Sequence, residues 1–447
     1  MTTTKTLRPF QKEGVKFIEK VKGRGLIGDD MSLGKTGQVL TYLEEHPELH
    51  PALVVCPASL QLNWKEETQY WFSGDVRVID SKNHVLGLNL NIVSYTMASK
   101  MFDELQQHPF QIMILDEVQS IKDTSTLRTK AINSLAKGIP QVVGLSGTPM
   151  INRPGELFPI LHVIRPDLFD SWPRFMKKYG ITFRGRWRKN DPQIALLRQD
   201  LQEIMIRRLK KDVLPELPDK TRIVVPFVLS NQDEYEKATQ DIISWINENE
   251  GPEEAVRAKR AQVIVRIEKL KQIALRGKLE GMIEWIENFI GTGEKLVIFA
   301  THCEVVNYLK YHFEDKAVML TGKNTVKQKQ QAVNEFQTNT NIKLIICNLR
   351  AGGVGYNLTA ASTTAFVEIG WTPGEHDQAE DRPNRIGQTA NKVIAYYLLS
   401  DTIERDIADL IDNKRIVVSQ LMDGQEVEEE ALLVALLNKM LARLKCI

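Results

Sequence analysis

The chain has 447 residues, 43% hydrophobic and 26% charged, with a formal net charge of +1. These figures suit a globular protein of roughly two to four domains, and they exclude a chain held to nucleic acid by bulk charge, leaving any such contact to a local patch. No apolar run approaches the ~18 residues of a membrane span, and the N-terminus MTTTKTLRPF lacks the apolar core of a secretory signal. Cys56, Cys303, Cys347 and Cys446 are scattered without metal-ligand spacing, so a soluble protein of a reducing intracellular compartment is expected. For a prokaryotic or viral chain that compartment is the cytoplasm, at the nucleoid.

In chain order, short β-branched runs first alternate with longer helical patterns. The runs are GLIG (25–28), ALVVCP (52–57), VRVID (76–80), NIVSY (91–95), QIMILDE (111–117) and QVVGLSGT (141–148). Near-continuous apolar strands separated by helices predict a parallel sheet covered on both faces. Residues from about 153 to 275 read as mostly helical, with Pro and Gly punctuation and two basic clusters. Alternation then resumes with KLVIFA (295–300), AVML (317–320), IKLIICN (342–348), TTAFVEI (363–369) and KVIAYYLL (392–399). A second α/β lobe is therefore expected. The tail is acidic (DGQEVEEE) and then amphipathic (ALLVALLNKMLARL), a pattern that suits a packing or oligomerisation helix with an acidic first turn.

Gly28–Thr36 reads GDDMSLGKT, between the first strand and a helical pattern whose Val39, Leu40, Tyr42 and Leu43 mark a buried face. Strand, loop and helix in that order are the setting of a phosphate loop. Lys35 is expected to reach the β- and γ-phosphates of a nucleotide, and the Thr36 hydroxyl to hold Mg²⁺. LDEVQ (115–119) places Asp116 and Glu117 at the C-terminal end of a strand, facing the ligand crevice of such sheets. Asp116 is then a Mg²⁺ holder through its water shell, and Glu117 polarises the attacking water. In QAEDRPNRIGQ (378–388), Arg382 and Arg385 are three apart and share a face on a helical turn. They are candidates for neutralising transition-state charge, with surface pairing to Glu380 or Asp381 as the alternative.

In this order the elements resemble the SWI/SNF family of DNA translocases within helicase superfamily two, from Leu7 to about Asn413. LRPFQKEGV (7–15) is similar to the family's opening motif, in which Gln11 recognises adenine. The likeness continues through VVCPASLQLNW (54–64), DEVQSIKD (116–123, with Gln119 where many members carry His) and LSGTPMINRPGELFPIL (145–161). MIRRLKKDVLPELPDKTR (205–222), NLRAGGVGYNLTAA (348–361) and WTPGEHDQAEDRPNRIGQ (371–388) complete it. NRPGELFPIL, SWPRFMKKYG (171–180) and IRRLKKDVL look most like the annealing-helicase, fork-remodelling branch, without its accessory domains.

The resemblance implies an α/β fold of two tandem RecA-like lobes of the P-loop NTPase class with a helical insertion between them. Residues 1–225 are expected to form the ATP-binding lobe, with a helical protrusion at about 153–210, and residues 226–277 a helical linker. Residues 278–422 are expected to form the C-terminal helicase lobe, and 423–447 a tail. ATP and Mg²⁺ are implied, with Gln11, Asp29, Asp30, Met31, Ser32, Leu33, Gly34, Lys35, Thr36, Gly355 and Gln378 around the nucleotide. Double-stranded DNA is the implied partner, gripped through its backbone without regard to sequence. Its expected contacts are Ser59, Asn63, Trp64 and Ser94 in the first lobe and Thr321, Lys323, Gly352, Gly353 and Asn357 in the second. Two departures stand out. Ser32 replaces the family's Gly, at a cost of about 1–2 kcal/mol if the position needs positive φ. Pro383 and Asn384 replace the usual Ala and His.

The expected activity is a DNA-dependent ATPase that translocates on duplex DNA and remodels DNA or protein–DNA structures. A strand-separating DNA or RNA helicase, and a weakly hydrolysing nucleotide-gated clamp whose loop Ser32 spoils, are the alternatives. FRGRWRKN (183–190) is either a DNA contact or a solvated hairpin. The basic run Arg207, Arg208, Lys210 and Lys211 reads as architecture framing the lobe interface. Trp371 either packs between lobes or braces the DNA track.

Overall fold

Every apolar run read from the sequence folds as a strand. The computed structural model describes residues 6–81, 83–147, 154–182, 193–248, 251–349, 356–385, 387–421 and 429–444, and the chain divides into two units, Met1–Glu216 and Leu217–Ile447.

The first unit holds β1 (Arg24–Ile27), β2 (Ala52–Cys56), β3 (Val76–Ile79), β4 (Leu90–Ser94), β5 (Ile112–Asp116), β6 (Gln141–Leu145) and β7 (Met205–Ile206). They form one parallel sheet in the order β3-β4-β2-β5-β6-β1-β7. β2 and β4 are buried along their whole length, which is why they read as unbroken apolar runs and not as alternating ones. Because β5, β6 and β1 are parallel neighbours, the loops that follow them emerge side by side at the C-terminal edge. Sheets of this kind bind ligands at that edge.

The second unit holds β8 (Asp219–Phe227), β9 (Leu296–Ala300), β10 (Ala317–Leu320), β11 (Leu344–Asn348), β12 (Thr363–Phe366) and β13 (Lys392–Ser400). These are also parallel, in the order β10-β11-β9-β12-β13-β8. Alternate strand residues feed two cores. Phe299, Ile345, Phe366 and Tyr397 pack with Ile267 and Leu270 of the helix Pro252–Gly291 and with Leu436 and Leu437 of the helix Glu429–Leu444. On the other face Ile298, Ile346 and Leu398 meet Met282, Ile286, Leu309 and Phe313. No helix among the described residues is long and apolar enough to cross a membrane.

Two expectations about organisation change. The boundary at 225 moves to 216, because β8 pairs residue for residue with β13, from Asp219 opposite Lys392 to Phe227 opposite Ser400. β8 escapes a sequence reading because it is an edge strand with mostly exposed side chains and carries Pro226, which such edges tolerate. The stretch 226–277 is no separate linker, since its helices Gln232–Glu248 and Pro252–Gly291 supply Ile246, Ile267 and Leu270 to the second core. Of the two alternatives for the amphipathic tail it is the packing helix that forms, with Leu433, Leu436, Leu437 and Met440 buried in the same core. Its acidic approach at 422–428 lies outside the described residues.

Candidate functional site

The loop after β1 makes two left-handed turns before the helix Lys35–Glu45 begins, at Ser32 (φ 67°) and Gly34 (φ 72°). Gly34 is required on two counts, since a Cβ there would also lie 2.3 Å from Gln11 Nε2. Ser32 meets only the backbone demand, under strain, and its buried hydroxyl makes no hydrogen bond. Relief of about 1–2 kcal/mol of left-handed strain exceeds the roughly 0.5–1 kcal/mol of backbone freedom that glycine loses on folding. Ser32→Gly is therefore expected to stabilise the first unit by about 0.5–1 kcal/mol, read as a raised urea midpoint at unchanged slope. A lowered midpoint would show that the hydroxyl contributes more than the strain costs.

The Lys35 ammonium folds back over its loop and donates to the carbonyls of Asp29 (2.7 Å) and Asp30 (3.1 Å). Burial pulls it below the usual lysine value, against the nearby carboxylates of Glu117, Asp29, Asp116 and Asp30, which hold it up. Thr36, half-buried, opens the same helix, while Leu33 is core and Met31 packs against Gly147.

The underside of the loop is braced by the residues after β7. Arg208 donates from N (3.1 Å), Nε (2.9 Å) and Nη2 (2.5 Å) to the fully buried Asp29 carboxylate, which Gln38 Nε2 also reaches at 3.2 Å. Arg208 further binds the Phe10 carbonyl and Gln38. Arg207 donates to the Gly28 carbonyl at 2.9 Å, and the Lys210 N–H to the Asp30 carboxylate at 3.1 Å. This basic run is architecture, as expected, but its bonds go to the phosphate loop. The carboxylates of Asp29 and Asp30 are thereby bonded to protein donors, and the Asp30 N–H donates to the Arg208 carbonyl at 2.9 Å. Gln11 is buried, donating to the Leu33 carbonyl at 3.1 Å and accepting from Arg8 N at 2.8 Å.

At the end of β5, two strands away, Asp116 accepts from the Trp64 indole at 2.7 Å and from the Glu117 N–H at 2.9 Å. Burial and then the adjacent Glu117 push Asp116 up to about 7, against the pull of Trp64 and Lys35. Glu117 stands in the left-handed region (φ 50°). Gln119 Nε2 donates to Glu117 at 2.6 Å, and Ser146 Oγ, just past β6, donates to Gln119 at 2.7 Å. A chain of hydrogen bonds thus runs from the loop after β6 to the candidate base, a link that spacing alone did not reveal.

Two expected DNA contacts of the first unit are corrected. Trp64 is fully buried beneath Asp116 and offers no face to a partner. Ser94 is buried and caps the helix Tyr95–Lys100 by accepting from Met97 N. Ser59 and Asn63 are half-exposed in the segment that follows β2.

In the second unit the helix Pro373–Glu380 carries half-buried Gln378 and ends before the arginines. Arg382 and Arg385 lie in the turns that follow and do not share a helical face. Arg382 is buried, 3.5 Å from the Tyr356 carbonyl, whereas Arg385 is half-exposed and donates to Asn357 Oδ1. Thr321 is buried and bonded to Asn324 at 2.8 Å, and Lys323 and Asn357 are exposed. Trp371 donates to Glu268 at 2.6 Å, with the Lys271 ammonium 5.4 Å from its ring centre. Gly352, Gly353, Gly355 and FRGRWRKN lie outside the described residues.

Residues 10–276 match the family described as the SNF2-related domain, and residues 277–387 the helicase conserved C-terminal domain. The mouse DNA annealing helicase and endonuclease ZRANB3 is 28% identical over 446 residues, spanning 95% of this chain and 41% of its own. A Caenorhabditis elegans homologue of SWI/SNF-related matrix-associated actin-dependent regulator of chromatin subfamily A-like protein 1 is 31% identical, spanning 93% of this chain and 62% of its own. The chain thus covers less than two thirds of both relatives. Among solved structures, the Sulfolobus solfataricus SWI2/SNF2 ATPase core in complex with dsDNA superposes at TM-score 0.47 with 25% identity, over 99% of this chain and 97% of that one.

Proposed function

Because the chain belongs to the SNF2-related family, its two parallel-sheet units being the tandem RecA-like domains of that family, we propose that it is an ATP- and Mg²⁺-dependent motor that translocates on double-stranded DNA. The observation that carries this reading is the C-terminal edge of the first sheet. There a lysine on a glycine-turned loop shares one electrostatic neighbourhood with the paired carboxylates Asp116 and Glu117.

In this reading the loop amides from Ser32 to Thr36 cradle the β- and γ-phosphates, and Lys35 exchanges its carbonyl partners for phosphate oxygens. Thr36 and Asp116 offer hard oxygen donors, which fit Mg²⁺, and a raised Asp116 pKa is what a nearby cation would lower. Mg²⁺ there would neutralise phosphate charge as the bond breaks. Glu117, oriented by Gln119 and Ser146, takes the proton of the attacking water. Arg382 and Arg385 supply cations for the developing charge. Gln11 holds the loop from behind, and its adenine role rests on resemblance. DNA is gripped by polar and basic groups that read no sequence, with Ser59 and Asn63 serving the first unit and Lys323 and Asn357 the second, while Thr321, buried and bonded to Asn324, shapes the loop that carries Lys323.

The test is ATP-driven displacement of a third strand from a DNA triplex, together with ATP turnover measured with duplex DNA, single strands and RNA. Triplex displacement and the strongest stimulation by duplex DNA are expected. Stimulation by single strands or RNA alone, with no triplex displacement, would replace the proposal with a strand-separating helicase.

A further inference from the structure

The stretch MIRRLKKDVLPELPDKTR ends in a second basic pair, Lys220 and Arg222, set on β8. Two residues apart on a strand, they project to one face. Arg222 holds Glu380 with both nitrogens of its fork, Nε to Oε1 and Nη2 to Oε2, each at 2.7 Å, and Nη2 also reaches Asp377 at 2.9 Å. The Lys220 ammonium lies 2.8 Å from Glu380 Oε2 and donates to Asp381 at 3.1 Å. From β13, the Tyr397 hydroxyl adds a bond to Glu380 at 2.7 Å.

Glu380 is the last residue of the helix Pro373–Glu380 and is fully buried. Exposed ion pairs contribute little, but a carboxylate at 0% exposure is tolerated only while its donors remain. Asp381 and Arg382 follow at once. The Arg382 N–H bonds back to the Ala379 carbonyl at 3.1 Å, so its backbone is tied to the clamped end of the helix.

We infer that Lys220 and Arg222 are positioning residues that seat Arg382 for its part in ATP turnover. One continuous segment then serves both units. Its first end, through Arg207 and Arg208, braces the phosphate loop, and its second end, through Lys220 and Arg222, sets the arginine turn. The inference rests on the ATPase reading above. Arg222 is the stronger element, because a bidentate fork fixes the orientation of a carboxylate where an ammonium fixes only its charge.

The test is ATP turnover of the full chain with saturating duplex DNA. Arg222→Ala is expected to lower kcat by about 10- to 100-fold, the scale of a misplaced catalytic group, with KM for ATP within about twofold. Arg222→Lys should recover part of the loss. The deciding measurement is the cycle with Arg382→Ala, in which adding Arg222→Ala costs no further turnover because both changes act through one guanidinium. Unchanged kcat in Arg222→Ala, or losses that multiply in the double variant, overturn the inference. If Arg222→Ala melts below the assay temperature, the cycle is run with Arg222→Lys and judged by the same two outcomes. Failure of the underlying reading looks different, because wild-type chain then shows no DNA-stimulated turnover, or Arg382→Ala leaves it intact.

Discussion

Glu117→Gln is expected to lower ATP turnover by about 10²–10⁴-fold while the chain still folds and binds nucleotide. The substitution removes the proton acceptor and almost nothing else. Glutamine has the same shape, can stay within reach of Gln119, and leaves the Glu117 N–H to Asp116 untouched. The strained left-handed turn at residue 117 is also kept, so an unfolding midpoint near that of the wild type is part of the expected result. Lys35→Ala should be equally inactive by another route, since it deletes the cation that the proposed mechanism sets against phosphate. The two variants separate in nucleotide affinity, which Lys35→Ala weakens and Glu117→Gln spares. Turnover by Glu117→Gln within tenfold of wild type would remove this residue from the chemistry. The base would then have to be sought among the other groups at the C-terminal edge of the first sheet.

The parts legible in the sequence were those written in local pattern. Strands buried on both faces announce themselves as apolar runs, and β2, β4 and β9 are buried at every position. The strand–loop–helix setting of GDDMSLGKT was legible because its residue types and its place between Arg24–Ile27 and Lys35–Glu45 are both local. What escaped depends on partners far apart in sequence. Arg208 reads as one more basic residue until it meets Asp29, 179 positions earlier. Trp64 reads as a DNA contact by family likeness until the fold places its indole on Asp116, 52 positions later. β8 is mostly exposed and makes its bonds to β13, whose residues come more than 170 positions after it, so neither burial nor a hairpin turn marks it. The two arginines of the second unit were found as a spacing, but their surroundings were misjudged, because the helix that would give them one face stops at Glu380.

The largest loss of stability is expected from Lys278→Met, at about 3–5 kcal/mol in the second unit, the range for breaking a buried pair by removing one partner. Lys278 lies on the helix Pro252–Gly291, and it and Glu404 are each about 1% exposed. Its three donors are all used, on the Leu398 carbonyl (2.6 Å) and on both oxygens of Glu404 (2.7 and 2.8 Å). Glu404 also accepts from the N–H (3.1 Å) and hydroxyl (2.9 Å) of Ser400, so one network ties the long helix to the end of β13 and to the helix Ile403–Leu421. Methionine fills the same volume but leaves a buried carboxylate with Ser400 alone. The cost is that orphaned charge more than the lost attraction, and pairing Lys278→Met with Glu404→Gln should therefore recover much of it. Arg276, two residues earlier on the same helix, supplies the contrast, because its pair with Glu234 is more than half exposed on both sides and its removal should scarcely register. Urea unfolding of the three variants decides the matter. If Lys278→Met shifts the midpoint no further than Arg276→Ala does, the buried pair is not what fastens this helix to the sheet, and the apolar contacts of Ile267, Leu270 and Met282 carry the attachment instead.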